Sequence, residues 1–302
     1  MNEKITPPST DPAEAAAWIE FHYQQGWSDG LPLVPPTEES VGTMLDAGKI
    51  KPSEIIGTIA ERNATIPAEK VAINAVMAGC LAEYFPVVLA AVRCLCRPEF
   101  HYHNPATSTG GSALTLIVNG PIGPELGINA IHNAFGPGVR ANATIGRALR
   151  LVMLNVLNTR PGLLDKATLG SPGKYAFCFA ENEERSPWEP RHIELGYDRE
   201  ESIVTVAGIR GINAIMETTV ATGIEVMQTI VGTMKAAGIA NYYQLGTGSQ
   251  IVLVLCPEHA DDVAASGLTK DDMEVVAEWV YHCRETLKGL VLGTKLKETI
   301  TS

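Results

Sequence analysis

Two patterns of apolar residues alternate along this chain. Short runs rich in β-branched residues are typical of buried strands, and stretches in which apolar residues recur every three or four positions are typical of amphipathic helices. By these patterns the first half of the chain reads strand, helix, helix, strand, helix. The predicted elements lie at residues 55–59, 73–77, 86–96, 114–118 and 142–158.

The same order returns in the second half, at residues 203–206, 212–216, 221–237, 251–255 and 269–287. The string Ile-Asn-Ala-Val-Met at 73–77 also returns as Ile-Asn-Ala-Ile-Met at 212–216. This repetition predicts an α/β fold of two pseudo-duplicated strand-helix-helix-strand-helix halves that pack together. Asn74 and Asn213 would then be equivalent, and the functional site would lie at the interface of the halves.

The repeat divides the chain into four parts. We predict an extended N-terminal arm at 1–49, the first α/β repeat at 50–158, an inserted strand and loop segment at 159–201, and the second repeat at 202–302. The inserted segment has no counterpart in the second half. Insertions of this kind often carry the specificity of a site.

The predicted arm contains several prolines, which favour extended backbone, and Trp27, which would anchor it. Its Asp29 is expected to reach a functional site in its own subunit or in a neighbouring subunit. The second alternative implies a homo-oligomer.

Composition narrows the class of ligand. The chain has 302 residues, 45% of them hydrophobic, and a formal net charge of −11. The acidic balance and the lack of a basic run argue against nucleic acid or an anionic membrane as the main partner and leave a small-molecule substrate. No run approaches the ~18 apolar residues of a membrane span, and the polar, proline-rich start is unlike a signal peptide, so we expect a cytoplasmic protein.

The six cysteines are too few in a chain of this length to form a disulfide framework. Cys178 lies in an alternating segment at 174–180, opposite three aromatic residues and level with Lys174. A nearby ammonium would favour the thiolate and make Cys178 a nucleophile, but its position within an apolar strand favours a buried packing thiol. The remaining cysteines are expected to be buried thiols, namely Cys80, Cys94, Cys96, Cys256 and Cys283.

A polar cluster at 181–192 follows this predicted strand. Ligands of α/β proteins bind beyond the carboxyl ends of strands, so Glu181 or Glu183 is a candidate general acid or base. Trp188 would desolvate the glutamate and raise its pKa, besides contributing to substrate binding. The alternative is a solvated turn in which Trp188 fastens an exposed loop to the core.

A second polar segment, at 129–142, precedes the last helix of the first half. We predict that Asn142 caps this helix and that Asn129, free backbone N–H groups and Arg140 converge on a carboxylate or phosphate. Lys174 would help to hold the anion. His132 would then move a proton.

A metal site is the alternative to cofactor-free chemistry. His101 and His103 would face one side if their segment were extended, and His132 or a glutamate of the 181–184 cluster could complete a ligand set. The spacing matches no familiar zinc motif, and histidines of this kind are more often polar loop residues. We therefore predict no cofactor.

Five segments of the chain together resemble a largely uncharacterised bacterial family that is often encoded beside UGSC-type (seleno)proteins. The segments lie at 27–32, 35–37, 70–80, 141–147 and 173–190. The UGSC-type proteins are themselves similar to the selenocysteine subunit of glycine reductase. The resemblance implies a partner protein with a reactive thiol or selenol.

We therefore expect an enzyme or catalytic subunit that acts on a small carboxylate-bearing substrate by acid/base or thiol chemistry, of the lyase, hydratase or hydrolase type. One alternative is a non-catalytic substrate-binding subunit of a UGSC-type (seleno)protein reductase complex. Another is a metal-dependent hydratase or hydrolase.

Overall fold

The computed structural model describes residues 11–218, 222–236 and 251–273. These residues form a mixed α/β protein with two small sheets. The chain divides into two compact units, each with its own hydrophobic core. The first unit comprises Met1–Asn182 and Arg191–Gly211, and the second comprises Glu183–Pro190 and Ile212–Ser302.

Two helices occupy more than half of the described residues in the segment that was predicted to be an extended arm. Helix α1 (Pro12–Gln24) is capped by the Asp11 side chain, and helix α2 (Glu38–Ala47) is capped by Thr37. The prediction is therefore wrong for these residues, because a capping side chain favours a helix start. In the described part of this segment, the proline-rich stretch between the two helices lacks regular structure.

The smaller sheet and the first core helices follow. Strand β1 (Ile55–Ile59) pairs antiparallel with β2 (Ala64–Pro67). Helix α3 (Ala68–Ala78) continues directly from β2, and helix α4 (Phe85–Leu95) comes next. Both helices are mostly apolar and contribute many buried residues to the core of the first unit.

The larger sheet has strand β3 (Ala113–Asn119) at its centre. Strand β4 (Cys178–Ala180) lies parallel to β3 on one side, and strand β5 (Ile203–Ile209) lies antiparallel to it on the other. Six of the seven β3 residues are buried, so this strand is buried on both faces rather than on one. Short helices α5 (His103–Thr107), α6 (Ile122–Glu125) and α8 (Arg191–Glu194) lie in the connections.

Helix α7 (Arg140–Asn155) lies next to α3 and close to β4. Ile145, Leu149 and Val152 form a buried stripe at helical spacing. A Cβ atom at Gly146 would lie 2.7 Å from the backbone nitrogen of Phe177, so glycine permits the close approach of α7 to this segment. Asn155 donates a hydrogen bond to the Asn74 side chain (2.8 Å) and thereby joins α7 to α3.

The second unit is built from helices α9 (Gly223–Ala236) and α10 (Pro257–Ala265). Its core is small and includes Val226, Met227, Ile230 and Val263. A Cβ atom at Gly223 would lie 2.3 Å from the Cα atom of Val263, so the start of α9 contacts α10 at backbone distance.

The described residues show no duplication. Residues 212–216 and 251–255 form neither helix nor strand, whereas a helix and a strand were predicted there. Asn213 is therefore not equivalent to Asn74, which lies within α3. Residues 270–273 are helical, and the rest of the helix predicted at 269–287 lies outside the described residues.

Candidate functional site

A small cleft of the first unit runs alongside helix α7. Its volume is about 260 Å³, including the part that is open to solvent. Leu114, Leu149 and Met153 form its apolar wall. Arg150 and Lys174 contribute positive charges, and Ser112 contributes a hydroxyl group.

Both cationic side chains of the cleft bind one carboxylate. The Lys174 ammonium donates to both oxygens of Asp165 at 2.8 Å, and Nη2 of Arg150 donates to Oδ2 at 3.2 Å. The side chain of Asp165 is only 7% exposed, and those of its two partners are 12% and 16% exposed. This cluster therefore carries one more positive than negative charge in a mostly buried place.

The Asp165 carboxylate is held in its ionised form. Burial acts to raise its pKa, but the hydrogen bonds from Lys174 and the Ala167 amide, together with the two positive charges, lower the pKa overall. Asp165 is therefore a weak base at neutral pH. Its role in the cluster is to orient Lys174 and Arg150.

A second polar group lies near this cluster. The Tyr102 hydroxyl shares a 2.7 Å hydrogen bond with the Thr159 hydroxyl, and the Arg62 guanidinium lies 4.9 Å from the centre of the tyrosine ring. Burial raises the pKa of Tyr102 to about 12, while Asp165 and Arg150 contribute smaller electrostatic effects. Tyr102 is therefore neutral at physiological pH.

Arg62 brings a third positive charge to this region. Its Nη1 atom donates to the Leu157 carbonyl (3.0 Å) and the Thr159 hydroxyl (3.1 Å). The Nε and Nη2 atoms are buried and have no hydrogen-bond partner in the described residues. The surroundings of Tyr102 are therefore electropositive.

The loop at 129–142, which was predicted to bind an anion, is joined to α7 by hydrogen bonds between Asn129 and the side chain of Asn142. Asn142 accepts from the Asn129 amide (2.8 Å) and donates to the Asn129 carbonyl (3.1 Å). The prediction that Asn142 is the N-cap is wrong, because α7 begins at Arg140 after Val139. Asn142 instead lies buried in the first turn, where it fixes the loop.

Arg140 and His132 are not directed into the cleft. Nε and Nη2 of Arg140 both donate to the Gly79 carbonyl at the end of α3, at 3.0 and 2.8 Å. The His132 side chain is exposed, and its backbone carbonyl accepts from the Asn129 side chain. Of the predicted anion ligands, only Lys174 lines the cleft.

Cys178 does not have the surroundings that a thiolate needs. It is buried between Phe177 and Phe179, and burial raises its pKa to about 12, with a further rise from Cys80. The Lys174 ammonium does not stabilise a Cys178 thiolate as expected, because the strand begins only at Cys178. Lys174 lies in a preceding turn and is bound to Asp165. Cys178 is therefore a packing residue.

Glu181 lies where the sequence placed it, beyond the end of β4. Its carboxylate accepts from the Asn119 side chain, at the end of the adjacent parallel strand β3, and from the Arg191 amide (2.9 Å). Glu181 thus joins two strand ends to helix α8. This location remains compatible with a role as a base.

Glu183 and Trp188 belong to the second unit. Both side chains are half-buried, and the Trp188 indole donates to the Leu268 carbonyl at 3.2 Å. Trp188 therefore fastens its loop to the core of this unit, as the alternative interpretation of the sequence expected.

Asp29 forms a bidentate ion pair with Arg147 of α7, with both distances 2.8 Å. Arg147 also donates to the carbonyls of Leu31 and Pro32. Asp29 therefore holds the proline-rich stretch against α7. Its carboxylate oxygens are not directed at the cleft.

The extended backbone at residues 101–103, on which the predicted metal site depended, is absent. His101 has a left-handed backbone (φ 49°) and His103 begins helix α5, so their segment is not extended. Both side chains are exposed. No group of three or more His, Cys, Asp or Glu residues suited to a metal ion occurs in the described part of the chain.

Sequence reasoning missed Asp165, Arg150, Tyr102 and Arg62. One signal was present, because Arg150 lies between the apolar residues Leu149 and Leu151 of a helix that is otherwise buried there. A charge in such a place needs a partner, but the sequence does not say which carboxylate provides it.

No protein-family model matches this chain, and neither does any curated protein or solved structure. In the described residues, no helix has the length and apolar character needed to cross a membrane. The geometry of the cleft is therefore the basis for a functional proposal.

Proposed function

We propose that the protein binds a small carboxylate-bearing molecule in the cleft at Arg150 and Lys174. The observation that supports this proposal is the excess of positive charge around Asp165, at side chains that are mostly removed from water. A second carboxylate would neutralise this excess. Charge attraction is stronger at such a site than at the surface because the effective dielectric constant is lower.

The donors needed for a carboxylate are present. Within the described residues, Nη2 is the one guanidinium nitrogen of Arg150 that forms a hydrogen bond. The Nε and Nη1 atoms are not buried. Both therefore remain available to an incoming acceptor. A planar guanidinium binds carboxylates in bidentate fashion, which gives direction as well as affinity.

The size of the cleft restricts the ligand to few atoms. Its volume of about 260 Å³ includes space that is open to solvent, so the enclosed part is smaller still. The apolar wall formed by Leu114, Leu149 and Met153 suits a short alkyl chain. We therefore infer a short-chain organic acid.

The cleft is better suited to binding than to proton transfer. Asp165 stays ionised and Tyr102 stays neutral around neutral pH, and Cys178 is a neutral buried thiol. This supports a substrate-binding subunit whose partner, a UGSC-type thiol or selenol protein by the resemblance above, supplies the reactive group. A lyase or hydrolase that uses Glu181 as its base is the other candidate, favoured by the position of Glu181 at two strand ends.

Two further features belong to this proposal, a homo-oligomeric state and a location in the cytoplasm. The acidic chain and the free cysteines of its described part support the second.

Calorimetric titration with short organic acids tests the binding proposal. Arg150→Gln should weaken binding roughly 10- to 100-fold, as expected for loss of a charge-assisted hydrogen bond. Arg93→Gln is the matched control, because Arg93 is an exposed residue of α4 with no ion pair in the described residues. Equal affinities of the wild type and the Arg150 variant would overturn the proposal.

Arg140→Gln separates this cleft from the anion site that the sequence predicted. The variant should bind the acid normally, because the Arg140 guanidinium is bound to the Gly79 carbonyl. A loss of binding in this variant, with Arg150→Gln unaffected, would place the anion at the 129–142 loop instead.

Turnover decides between enzyme and subunit. The purified protein should bind the acid without converting it, and conversion should require the thiol or selenol partner. Conversion by the protein alone, lost in Glu181→Gln, would favour the enzyme. Elemental analysis of the active preparation would identify a metal-dependent hydratase.

A further inference from the structure

A cysteine and a histidine are in direct contact at the start of helix α10. Sγ of Cys256 lies 3.2 Å from Nδ1 of His259, three residues further along the chain. Cys256 is the N-cap residue of the helix, and its side chain is exposed. The sequence had predicted a buried thiol here because the preceding run, Ile251–Leu255, is apolar, but those residues do not form a buried strand.

The other ring nitrogen of His259 fixes the direction of this hydrogen bond. Nε2 lies 3.1 Å from the backbone carbonyl of Glu217, which can only accept. Nε2 must therefore carry the hydrogen, and Nδ1 presents its lone pair to the thiol of Cys256. The ring is thus oriented to take the thiol proton.

The segment that holds the histidine is itself fixed. The Glu217 side chain accepts a 2.8 Å hydrogen bond from Thr229 of helix α9. The ring of His259 therefore lies between α10 and a segment fastened to α9. A nucleophile, a base and a group that orients the base are the three parts of an activated cysteine.

We propose that Cys256 is a nucleophilic thiol that exchanges with small-molecule disulfides, with His259 as its base. This activity is independent of the carboxylate cleft. The exposed position of the thiol suits a disulfide, because exchange requires access to the sulfur along the line of attack.

The exchange balances without another reactant. Nδ1 of His259 takes the proton of Cys256, and the thiolate attacks one sulfur of the disulfide. A new bond forms between this sulfur and Cys256, the original S–S bond breaks, and the leaving thiolate takes the proton from the imidazolium. The Cys256 sulfur is oxidised, one sulfur of the reagent is reduced, and the products are a mixed disulfide and a free thiol.

The other described cysteines lack these conditions. Cys80 and Cys178 are buried, and burial raises the pKa of each to about 12. Cys94 and Cys96 are half-buried, and burial also raises their pKa values, to about 11 for Cys96. Among the described cysteines, selective reaction at Cys256 is therefore expected.

The test uses the full-length reduced protein and dipyridyl disulfide, whose thiopyridone product is measured by absorbance. The rapid phase should map to Cys256 by mass spectrometry of peptides and should be absent in Cys256→Ser. His259→Gln should slow it about tenfold or more, because a free thiol is only a few per cent ionised near neutral pH. Glu258→Gln, in the same helical turn, is the matched control and should react like the wild type.

A second measurement uses the wild type alone, so its result does not depend on whether the His259 variant folds. Cys256 should react faster in the native chain than in the chain unfolded by guanidinium, where all thiols have similar surroundings. A native rate no higher than the unfolded rate, a rapid phase that maps to another cysteine, or an unchanged rate in His259→Gln would each overturn the proposal.

Discussion

At the scale of single residues, Asp165 determines the charge of the cleft. It binds Lys174 through both oxygens and Arg150 through one. Its removal would leave two neighbouring cations without their common partner. Asp165 therefore stabilises the fold, but its negative charge weakens the attraction of the cleft for an anion.

Asp165→Asn should lower the free energy of unfolding by about 1–3 kcal/mol, because charged hydrogen bonds are replaced by weaker ones. The same variant should bind the short organic acid more tightly, since the local charge becomes more positive. Urea denaturation and calorimetric titration measure the two effects. A variant with unchanged stability and weaker binding would mean that Asp165 contacts the ligand itself.

The same carboxylate gives a pH dependence. The folded pKa of Asp165 lies below its ordinary value of 3.8, so its contribution to stability is complete above that pH and is lost as the pH falls through the folded pKa. Thermal unfolding between neutral pH and about pH 2 should therefore show a smaller loss of Tm in Asp165→Asn than in the wild type. Parallel curves for the two proteins would show that the carboxylate contributes nothing to acid unfolding.

At the scale of elements, the close approach of helix α7 to the segment before β4 depends on Gly146. Replacing a helical glycine by alanine ordinarily stabilises a helix by about 1 kcal/mol. Here the new Cβ atom would lie 2.7 Å from the Phe177 backbone nitrogen, which cannot rotate away. Gly146→Ala should therefore lower stability by about 1–3 kcal/mol, as overpacking does.

Gly42→Ala in helix α2 is the matched control for this substitution, because a Cβ atom at Gly42 meets nothing within 4 Å. Urea denaturation should show that it stabilises the protein slightly. Equal effects of the two substitutions would mean that α7 can shift to accommodate a methyl group.

Element prediction succeeded where one pattern extends over many residues. The helices predicted at 86–96, 142–158 and 221–237 and the strands at 55–59 and 114–118 are all present within a few residues. The helix predicted at 212–216 is absent, since five residues that resemble part of α3 lack the packing partners that α3 has. Short strings are governed by tertiary contacts rather than by their own preferences.

The candidate site was harder to predict from the sequence because its residues come together only through tertiary contacts. Lys174 was identified, but Asp165 and Arg150 come together with it only through the folded chain. The catalytic role considered for Cys178 fails because Lys174 is bound to Asp165, and the packing role that its apolar strand favoured is the one observed. Glu181 was placed correctly because strand ends follow from local pattern alone.

At the scale of the whole molecule, the two units have separate cores. Met227→Ala should remove a buried side chain of the second core and cost about 2–5 kcal/mol in that unit. Hydrogen exchange measured by mass spectrometry should then accelerate in α9 and α10 and leave β3 unchanged. Leu116→Ala should give the reverse pattern, and acceleration throughout the chain in both variants would mean that the units unfold as one.

The arrangement of the larger sheet has a consequence for synthesis of the chain. Strand β3 is the central strand, yet β4 begins only at residue 178 and β5 only at residue 203. A ribosome must therefore translate almost the entire first unit before β3 gains either neighbour. Until then the unpaired backbone N–H and C=O groups of this largely apolar strand remain open to pairing with other nascent chains, so we expect chaperones to protect it during synthesis.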